Sequence, residues 1–311
     1  MQPDADIGRV REGKVEQQGD MKLATSPGRR AVNLAALLLT AAVFAGGAAS
    51  AGTLGRIGQD KTIRIAYRED APPFSYKDKT GAPAGFIVDL CREVVKKLAD
   101  QLHLASLDIA YVPVTSADRF TAIQQQKVDL LCGPSTATLS RREVVGFSIP
   151  TFVDGASLMI RVDGPHDLKA MAGQKIGVLT NTTTEGELHE SLQKAGINAE
   201  VTPVKAHSEG LALLDDGKIS AYFADRSILV SLIKESRASG KLMIAENYLA
   251  LEAYALALPR GDEDFRLAVD RALSHIYRSG AITSIFKRTF GESAKPDQIL
   301  QAVYLVSGLP D

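Results

Sequence analysis

After residue 51, the sequence predicts an α/β protein whose sheets are covered by helices. Segments with strand patterning alternate with amphipathic segments of helical spacing from residue 63 to residue 290. Repeated strand–helix units of this length form layered α/β folds, because each amphipathic helix buries its apolar face against a sheet. The first 51 residues show a different pattern and are predicted to lie outside this fold.

The predicted elements begin with a strand over residues 63–67, in which two faces of different polarity alternate. Apolar residues at helical spacing predict an amphipathic helix over residues 86–102. Thr184 and Glu187 fit a capping box for a helix that follows a strand at 175–180. The other predicted elements are strands at 107–114, 128–132 and 219–224, helices at 118–125 and 226–233, and a largely helical stretch at 262–290.

The N-terminal 51 residues have the order of a leader with a secretory signal peptide. Basic residues precede an apolar run, Ala31–Ala45, and Ala49-Ser50-Ala51 fits the A-x-A pattern of signal-peptidase cleavage. The run is too short for a comfortable membrane span, and a buried core helix is the alternative. Both Met1 and Met21 remain candidate translation starts. We expect an exported, soluble, periplasmic protein without a lipid anchor, since no cysteine stands near the cleavage point.

The net charge and the absence of known catalytic motifs restrict the function of this protein. The 311 residues include 36 Lys and Arg against 37 Asp and Glu, a formal net charge of −1. Phosphate binding needs an excess of basic residues, so we expect no nucleic-acid partner. The sequence lacks a Ser-His-Asp order, a G-x-S-x-G motif, a P-loop and a dinucleotide glycine fingerprint. We therefore predict no catalytic residues and no cofactor.

Two cysteines, Cys91 and Cys132, follow the leader. An even number of cysteines in an oxidising compartment favours a disulfide, and two buried free thiols are the alternative. Cys91 lies on the buried side of the helix at 86–102, and Cys132 ends a strand which that helix can cover. Neither cysteine has a histidine or a second cysteine at metal-ligand spacing, so we predict no metal site.

Three groups of motifs resemble one known family. Pro73-Phe74-Ser75-Tyr76 with Gly85-Phe86 is similar to its opening, and Lys127-Val128-Asp129 followed by Gly133–Arg141 is similar to its second signature. Phe290-Gly291 resembles the end of its closing helix, although this sequence has no tryptophan. Over residues 60–291 the sequence resembles the periplasmic solute-binding proteins that serve polar amino-acid ABC importers. Within that family it looks most like the glutamate/aspartate-binding proteins.

The resemblance implies a two-lobed periplasmic-binding-protein (type II) fold with a hinge-closing cleft. Residues 52–158 plus 252–311 would form lobe 1, and residues 159–251 would form lobe 2. The implied function is capture of an acidic amino acid for a membrane permease of an ABC importer, by a monomer that is not an enzyme. Glutamate, aspartate and a related dicarboxylate remain open as ligands.

The resemblance also implies roles for nine ligand-binding residues. Arg141 would hold the α-carboxylate, Arg68 and Arg119 the side-chain carboxylate, and Asp225 the α-ammonium. A guanidinium suits the first two tasks, because its fork donates two parallel bonds to one carboxylate. The remaining residues are Ser116, Thr136, Thr182, Thr183 and His207. Simpler roles than ligand binding remain open for these residues. A strand-end arginine is often solvated, Asp225 can cap a helix, and His207 can be a core or surface histidine.

Charge supports an acidic ligand in this set. Three arginines and one aspartate sum to +2 and complement the −1 of glutamate, whereas a basic amino acid would face the arginines. An enzyme on the same fold, similar to cyclohexadienyl dehydratase, is one alternative. It needs a carboxylic acid for proton transfer, and Asp225 is the only strand-end carboxylate in the set. The sensor domain of a receptor is another alternative. Pro134 departs from the usual Ser or Thr of the second signature.

Overall fold

The computed structural model describes residues Gly52–Pro310, and these residues form mixed α/β structure. The predicted signal peptide and its cleavage site at Ala49–Ala51 lie outside the described residues. Within residues 52–310, no helix combines the length and the apolar character that a membrane crossing requires.

The elements alternate along the chain as the patterning predicts. The strands are β1 Thr62–Arg68, β2 Asp70–Ala71, β3 Ser75–Lys77, β4 Pro83–Ala84, β5 Asp108–Val114, β6 Leu130–Leu131, β7 Gly146–Arg161, β8 Lys175–Leu179, β9 Glu200–Val204, β10 Ala221–Asp225, β11 Leu242–Ile244 and β12 Ala250–Leu258. The α-helices are α1 Thr53–Asp60, α2 Phe86–Gln101, α3 Arg119–Gln124, α4 Leu139–Arg142, α5 Thr183–Ala195, α6 His207–Asp215, α7 Arg226–Glu235, α8 Glu263–Arg278, α9 Ala281–Phe290 and α10 Gln298–Ser307. Single 3₁₀ turns occupy Lys169–Met171 and Ser239–Lys241.

One large sheet organises these elements, in the order β5-β1-β6-β12-β7-β10-β8-β9, with β11 on β7. Strands β5, β1 and β6 are parallel to one another, as are β10, β8 and β9. The antiparallel pair of β7 and β12 lies between these two parallel groups. Neither β7 nor β12 was among the predicted elements. The burial of β7 lacks a period of two over most of its length, because it lies inside the sheet.

Helix α2 begins where the chain passes close to its own backbone. The N–H groups of Phe86 and Ile87 donate to the carbonyls of Pro73 and Phe74 at 2.9 Å, which satisfies free N–H groups at the helix start. Gly85 has φ of 119°, and a Cβ there would lie 2.4 Å from the Phe74 carbonyl oxygen. Only glycine fits this position, because any side chain would collide with backbone.

An aromatic cluster, formed by Phe74, Phe86, Phe152, Tyr254 and Phe290, packs beside the pair of β7 and β12. Ring centroids are 4.8 Å apart for Phe74 and Phe152 and 5.3 Å apart for Phe74 and Tyr254. Such edge-to-face pairs add packing energy beyond burial alone. The cluster fixes the central strands against the first turn of α2, close to the candidate site described below.

The predicted disulfide is confirmed in the structure. Cys91 and Cys132 are bonded, with their Cα atoms 6.3 Å apart. Cys91 lies on the buried face of α2, and Cys132 directly follows β6, so the bond ties this helix to the sheet.

Two local predictions were wrong in detail. The cap of α5 is Thr182, whose hydroxyl accepts from the Glu185 N–H at 3.1 Å, whereas the prediction placed it at Thr184. Both T-x-x-E spacings fit the sequence, and the strand end selects the earlier one. The strand predicted at 128–132 contains only Leu130–Leu131. The stretch 262–290 is largely helical, as predicted, and consists of two helices divided at Gly280, where φ is 76°.

Candidate functional site

The nine candidate residues follow the carboxyl ends of parallel strands, which is where open α/β sheets bind ligands. Arg68 ends β1, and Ser116 with Arg119 follows β5. Thr136 and Arg141 follow β6, Thr182 and Thr183 follow β8, His207 follows β9, and Asp225 ends β10. The first five belong to one parallel group of the sheet and the last four to the other.

The structure brings these two sets of strand ends into contact. The hydroxyls of Thr136 and Thr183 are 3.2 Å apart. Arg119 Nη2 donates to the Asn181 carbonyl at 3.0 Å. A third contact joins the His207 N–H to the Asp70 carboxylate at 3.3 Å. The strand ends that carry the candidate residues therefore meet between the two parallel groups, and we call this region the cleft.

Arg68 is 3% exposed and already has an anionic partner. Its Nε and Nη2 donate to Asp70 Oδ1 at 3.0 and 2.6 Å. Burial alone would raise the pKa of Asp70, but Arg68 and His207 hold it below its usual value. Sequence reasoning missed Asp70, which follows Arg68 by two residues and neutralises it.

His207 is a buried, hydrogen-bonded histidine, as its simpler alternative proposed. Its Nδ1 lies 2.8 Å from the Tyr222 hydroxyl. Burial lowers the pKa of His207 to about 4, with Asp70 opposing and Arg68 reinforcing the shift, so the ring is neutral at pH 7. Gly210 permits this arrangement, since a Cβ there would lie 2.1 Å from the Tyr222 ring. The backbone N–H of His207, by contrast, faces Asp70 in the cleft.

Arg119 and Arg141 form the basic side of the cleft with Arg68. Arg119 is 2% exposed, donates from Nη1 to the Ser116 carbonyl, and has a buried Nε without a partner in residues 52–310. Burial first, and then the charges of Arg141 and Arg68, lower the pKa of Arg119 to about 9. Arg141 donates to the Thr136 carbonyl at 2.9 Å, and burial also lowers its pKa. An incoming anion would relieve this repulsion.

The start of α5 supplies further donors beside these arginines. Thr182 caps the helix and donates to the Leu179 carbonyl at 2.6 Å, so its hydroxyl is committed locally. Thr183 is the first helical residue, and its hydroxyl meets Thr136. The N-terminus of a helix favours an anion, because its first N–H groups are free.

Asp225 occupies the acidic side of the cleft. It precedes α7 but makes no side-chain cap bond, which contradicts its alternative as a simple cap. Its Oδ1 is buried without a hydrogen-bond partner in the described part of the chain. Burial raises the pKa of Asp225 well above its usual value, and the neighbouring carboxylates of Glu252 and Asp154 raise it further.

Sequence reasoning missed Glu252 and Asp154, which lie within strands and outside the set in which Asp225 is the only strand-end carboxylate. Glu252 on β12 and Asp154 on β7 are register partners across the antiparallel pair, and both are buried. Burial, with the charge of Glu252, raises the pKa of Asp154 to about 6. Like charges directly opposite in a sheet are destabilising, so a pair of this kind needs an explanation. Only the pairing of distant strands reveals it.

The cleft therefore has donors at one end and acceptors at the other. Arginines and the α5 N-terminus suit a carboxylate, and the Asp225 and Glu252 oxygens suit an ammonium. This arrangement can hold a zwitterion such as an amino acid. Among residues 52–310, no group of three His, Cys, Asp or Glu side chains is arranged to hold a metal ion.

The chain is similar to known proteins over most of its length. The chain is 27% identical over 273 residues to the L-glutamate/L-aspartate-binding protein of Pseudomonas aeruginosa, covering 87% of this chain and 90% of that protein. It is 25% identical over 255 residues to the glutamate/aspartate import solute-binding protein of Salmonella typhimurium, covering 82% of this chain and 84% of that protein.

A solved structure shows the same fold. The ancestral amino acid-binding protein AncCDT-1, a precursor of cyclohexadienyl dehydratase, has a TM-score of 0.67 and 23% identity, covering 77% of this chain and 99% of that chain. The family model of the bacterial extracellular solute-binding proteins, family 3, matches residues 63–292. The chain therefore belongs to this family and has the periplasmic-binding-protein type II fold.

Proposed function

We propose that this protein captures an acidic amino acid, glutamate or aspartate, in the cleft and delivers it to the permease of an ABC importer. The observation that carries the proposal is the set of two buried arginines, Arg68 and Arg119, and the half-buried Arg141, opposite the unpartnered Oδ1 of Asp225. The relatives from Pseudomonas aeruginosa and Salmonella typhimurium are glutamate/aspartate-binding proteins by name, which supports the same ligand.

In this proposal the ligand's two carboxylates meet different arginines. Arg141, beside Thr183 and the α5 N-terminus, binds the α-carboxylate, and Asp225 binds the α-ammonium. Arg119, with its unpartnered Nε, binds the side-chain carboxylate. Arg68 adds positive charge behind it but shares that charge with Asp70, so its contribution is smaller than that of Arg119.

The position of β7 and β12 supports the proposed division into two lobes. In the proposed division, residues 52–158 plus 252–311 form lobe 1 and residues 159–251 form lobe 2, so the chain crosses between lobes within these two strands. Because Asp154 and Glu252 lie on the crossing strands, the hinge contributes to the wall of the cleft. The contacts of Asp70 with His207 and Thr136 with Thr183 would then join the lobes in a closed form.

The proposed location is the periplasm, with the protein acting as a monomer. The leader pattern before residue 52, the extracellular family and the disulfide of Cys91 and Cys132 support export to an oxidising compartment.

Isothermal titration calorimetry with the twenty amino acids tests the proposal on the chain from Gly52 onward. Glutamate or aspartate should bind tightest, and arginine and lysine should not bind, because their side-chain cations would face Arg119. A ligand at about 100 times its Kd should also stabilise the protein by about 2.7 kcal/mol in thermal unfolding. Tightest binding of a basic or apolar amino acid would refute the acidic specificity.

One observation favours an enzyme as the second candidate. The cleft contains buried carboxyl groups, and the pKa of Asp154 is raised to about 6, as a general acid requires. Incubation with prephenate or arogenate, followed by detection of the aromatic product, separates the two functions. The binding proposal expects no turnover above the uncatalysed rate. Turnover that is lost in Asp154→Asn or Asp225→Asn would establish the enzyme instead.

A further inference from the structure

Glu252 is a buried carboxylate whose hydrogen bonding is incomplete. Glu252 is 4% exposed. It lies in strand β12, where this strand borders the cleft. Oε2 accepts from the Thr136 hydroxyl at 2.5 Å. Oε1 is buried and has no hydrogen-bond partner among residues 52–310. A buried anionic oxygen without a donor is costly, so a native site of this kind implies a partner from outside the chain.

Two further polar atoms beside Glu252 share this condition. Asp225 Oδ1 and the Tyr254 hydroxyl are also buried without a well-formed hydrogen bond in the described part of the chain. The Tyr254 hydroxyl lies close enough to Asp225 to lower the pKa of that carboxyl as a donor, against the larger raising effect of burial. The three groups are neighbours, because the charge of Glu252 acts on both Asp225 and Tyr254. The charges of Glu252 and Asp225 attract the Arg141 guanidinium, but Arg141 Nη1 donates its hydrogen bond to the Thr136 carbonyl. The acceptors thus form a compact group next to the basic side of the cleft.

A compact cation would satisfy both carboxylates at once. Two carboxylate oxygens that repel each other are satisfied together by one group with a positive charge and several N–H donors. A primary ammonium meets this need with three N–H groups. A guanidinium is planar and larger, and a metal ion would need a cluster of ligands that residues 52–310 do not form.

We propose that Glu252 is a second ammonium ligand of the cleft, acting with Asp225 on the α-amino group of the captured molecule. The inference rests on the proposed function, because it takes the ligand to be an amino acid. Thr136 orients Glu252 through Oε2 and leaves Oε1 for the ammonium. With two carboxylates at this position, the site selects a free primary amine and rejects the corresponding 2-hydroxy acid or deaminated dicarboxylate.

The test compares two ligands that differ only at the amine. Calorimetry measures the Kd of the tightest-binding amino acid of the screen and of its 2-hydroxy analogue, which for glutamate is 2-hydroxyglutarate. Glu252→Gln should weaken the amino acid roughly 30- to 1,000-fold and change the 2-hydroxy acid less than about threefold. Glu246→Gln is the matched control, since Glu246 is exposed, and should change neither Kd.

Glu252→Asp provides a second variant that keeps the charge. It should retain more of the preference for the amine than Glu252→Gln does, and it supplies the same comparison if the glutamine variant does not fold. Equal weakening of both ligands in the Glu252 variants would assign Glu252 a structural role and overturn the inference. If a non-acidic amino acid binds tightest, the acidic specificity fails while the Glu252 test still stands with that ligand. Binding of no amino acid would overturn both.

Discussion

Two clusters in this protein each combine arginines with buried carboxylates, but the hydrogen bonds of the carboxylates are satisfied in only one of them. In the Asp129 cluster, Arg64 donates to the carboxylate from its backbone N–H, Nε and Nη2 at 2.8, 3.2 and 2.6 Å, and Arg56 adds a second ion pair. In the cleft cluster, Arg141 faces Asp225 and Glu252, yet one oxygen of each carboxylate has no donor in the described residues.

The difference separates structural charges from binding charges. A buried carboxylate with all its partners inside the chain contributes to folding, and removing a partner destabilises the protein. A buried carboxylate that lacks a partner destabilises the ligand-free protein. When a ligand supplies the donor, this cost disappears and the bound protein is more stable. A buried carboxylate therefore stabilises the folded protein in one cluster and destabilises the ligand-free protein in the other. Mutations in each cluster can test this difference.

Arg141→Ala should produce the largest effect, on binding. The ligand's α-carboxylate loses its charged partner in a desolvated cleft, at a cost of about 3–5 kcal/mol, or roughly 150- to 5,000-fold in Kd. Calorimetry with each ligand of the wild-type protein measures the loss. Arg142→Ala is the matched control, because Arg142 is exposed and adjacent. Retained affinity in Arg141→Ala would remove the cleft's proposed anchor.

Asp129→Ala should act mainly on folding. Arg64 and Arg56 lose their common partner, and the free energy of unfolding should fall by about 2–4 kcal/mol in denaturant titration. Ligand affinity should change less than about twofold, since Asp129 lies outside the cleft. Asp60→Ala removes only an exposed pair with Arg56 and should cost less than about 1 kcal/mol. A loss of affinity without loss of stability in Asp129→Ala would erase the distinction between the clusters.

Asp154→Asn should change the pH dependence of stability. In the folded protein the pKa of Asp154 is raised to about 6, so the wild type loses stability as pH rises through 6. Asparagine has no proton to lose, and the variant should therefore gain about 1–3 kcal/mol relative to the wild type between pH 4 and pH 7. Denaturant unfolding of the ligand-free proteins at several pH values measures this difference.

His207 produces the opposite trend in both proteins. Its folded pKa is lowered to about 4, so its contribution to stability rises with pH from 4 to the unfolded value of about 6.5. The two trends oppose each other in the wild type, and His207 cancels in the difference between the proteins. A difference that does not vary with pH would mean that Asp154 is ionised throughout this range.

The sequence predicted the basic side of the cleft better than the acidic side. Arg68, Arg119 and Arg141 each follow a strand with recognisable patterning or stand in a signature, so their convergence was expected. Asp154 lies in a stretch of β7 that is buried on both faces and has no alternation. Burial does alternate around Glu252 in β12, but with the apolar Leu251 exposed and the charged Glu252 buried, which is the reverse of the usual pattern. The pairing of Asp154 with Glu252 across about 100 residues depends on register, which local sequence does not specify.

The cap of α5 and the partner of Arg68 depend on three-dimensional structure that sequence motifs do not specify. The T-x-x-E spacing occurs at both Thr182 and Thr184, and only the end of β8 decides which residue caps α5. Asp70 is the first residue of β2, and its pairing with Arg68 requires the bend at Glu69 between β1 and β2. The charge of +2 expected for the site therefore omitted three carboxylates, Asp70, Asp154 and Glu252.

The disulfide has a consequence for making the protein. Cys132 stands immediately before the segment that contains Thr136 and Arg141, and its bond to Cys91 closes a loop with a sequence separation of 41 residues. In a reducing cytosol this cross-link would not form, and the unfolded chain would keep the conformational freedom that the bond removes. Material for binding studies is therefore best made by secretion or by oxidative refolding, with its thiols counted before ligand is added.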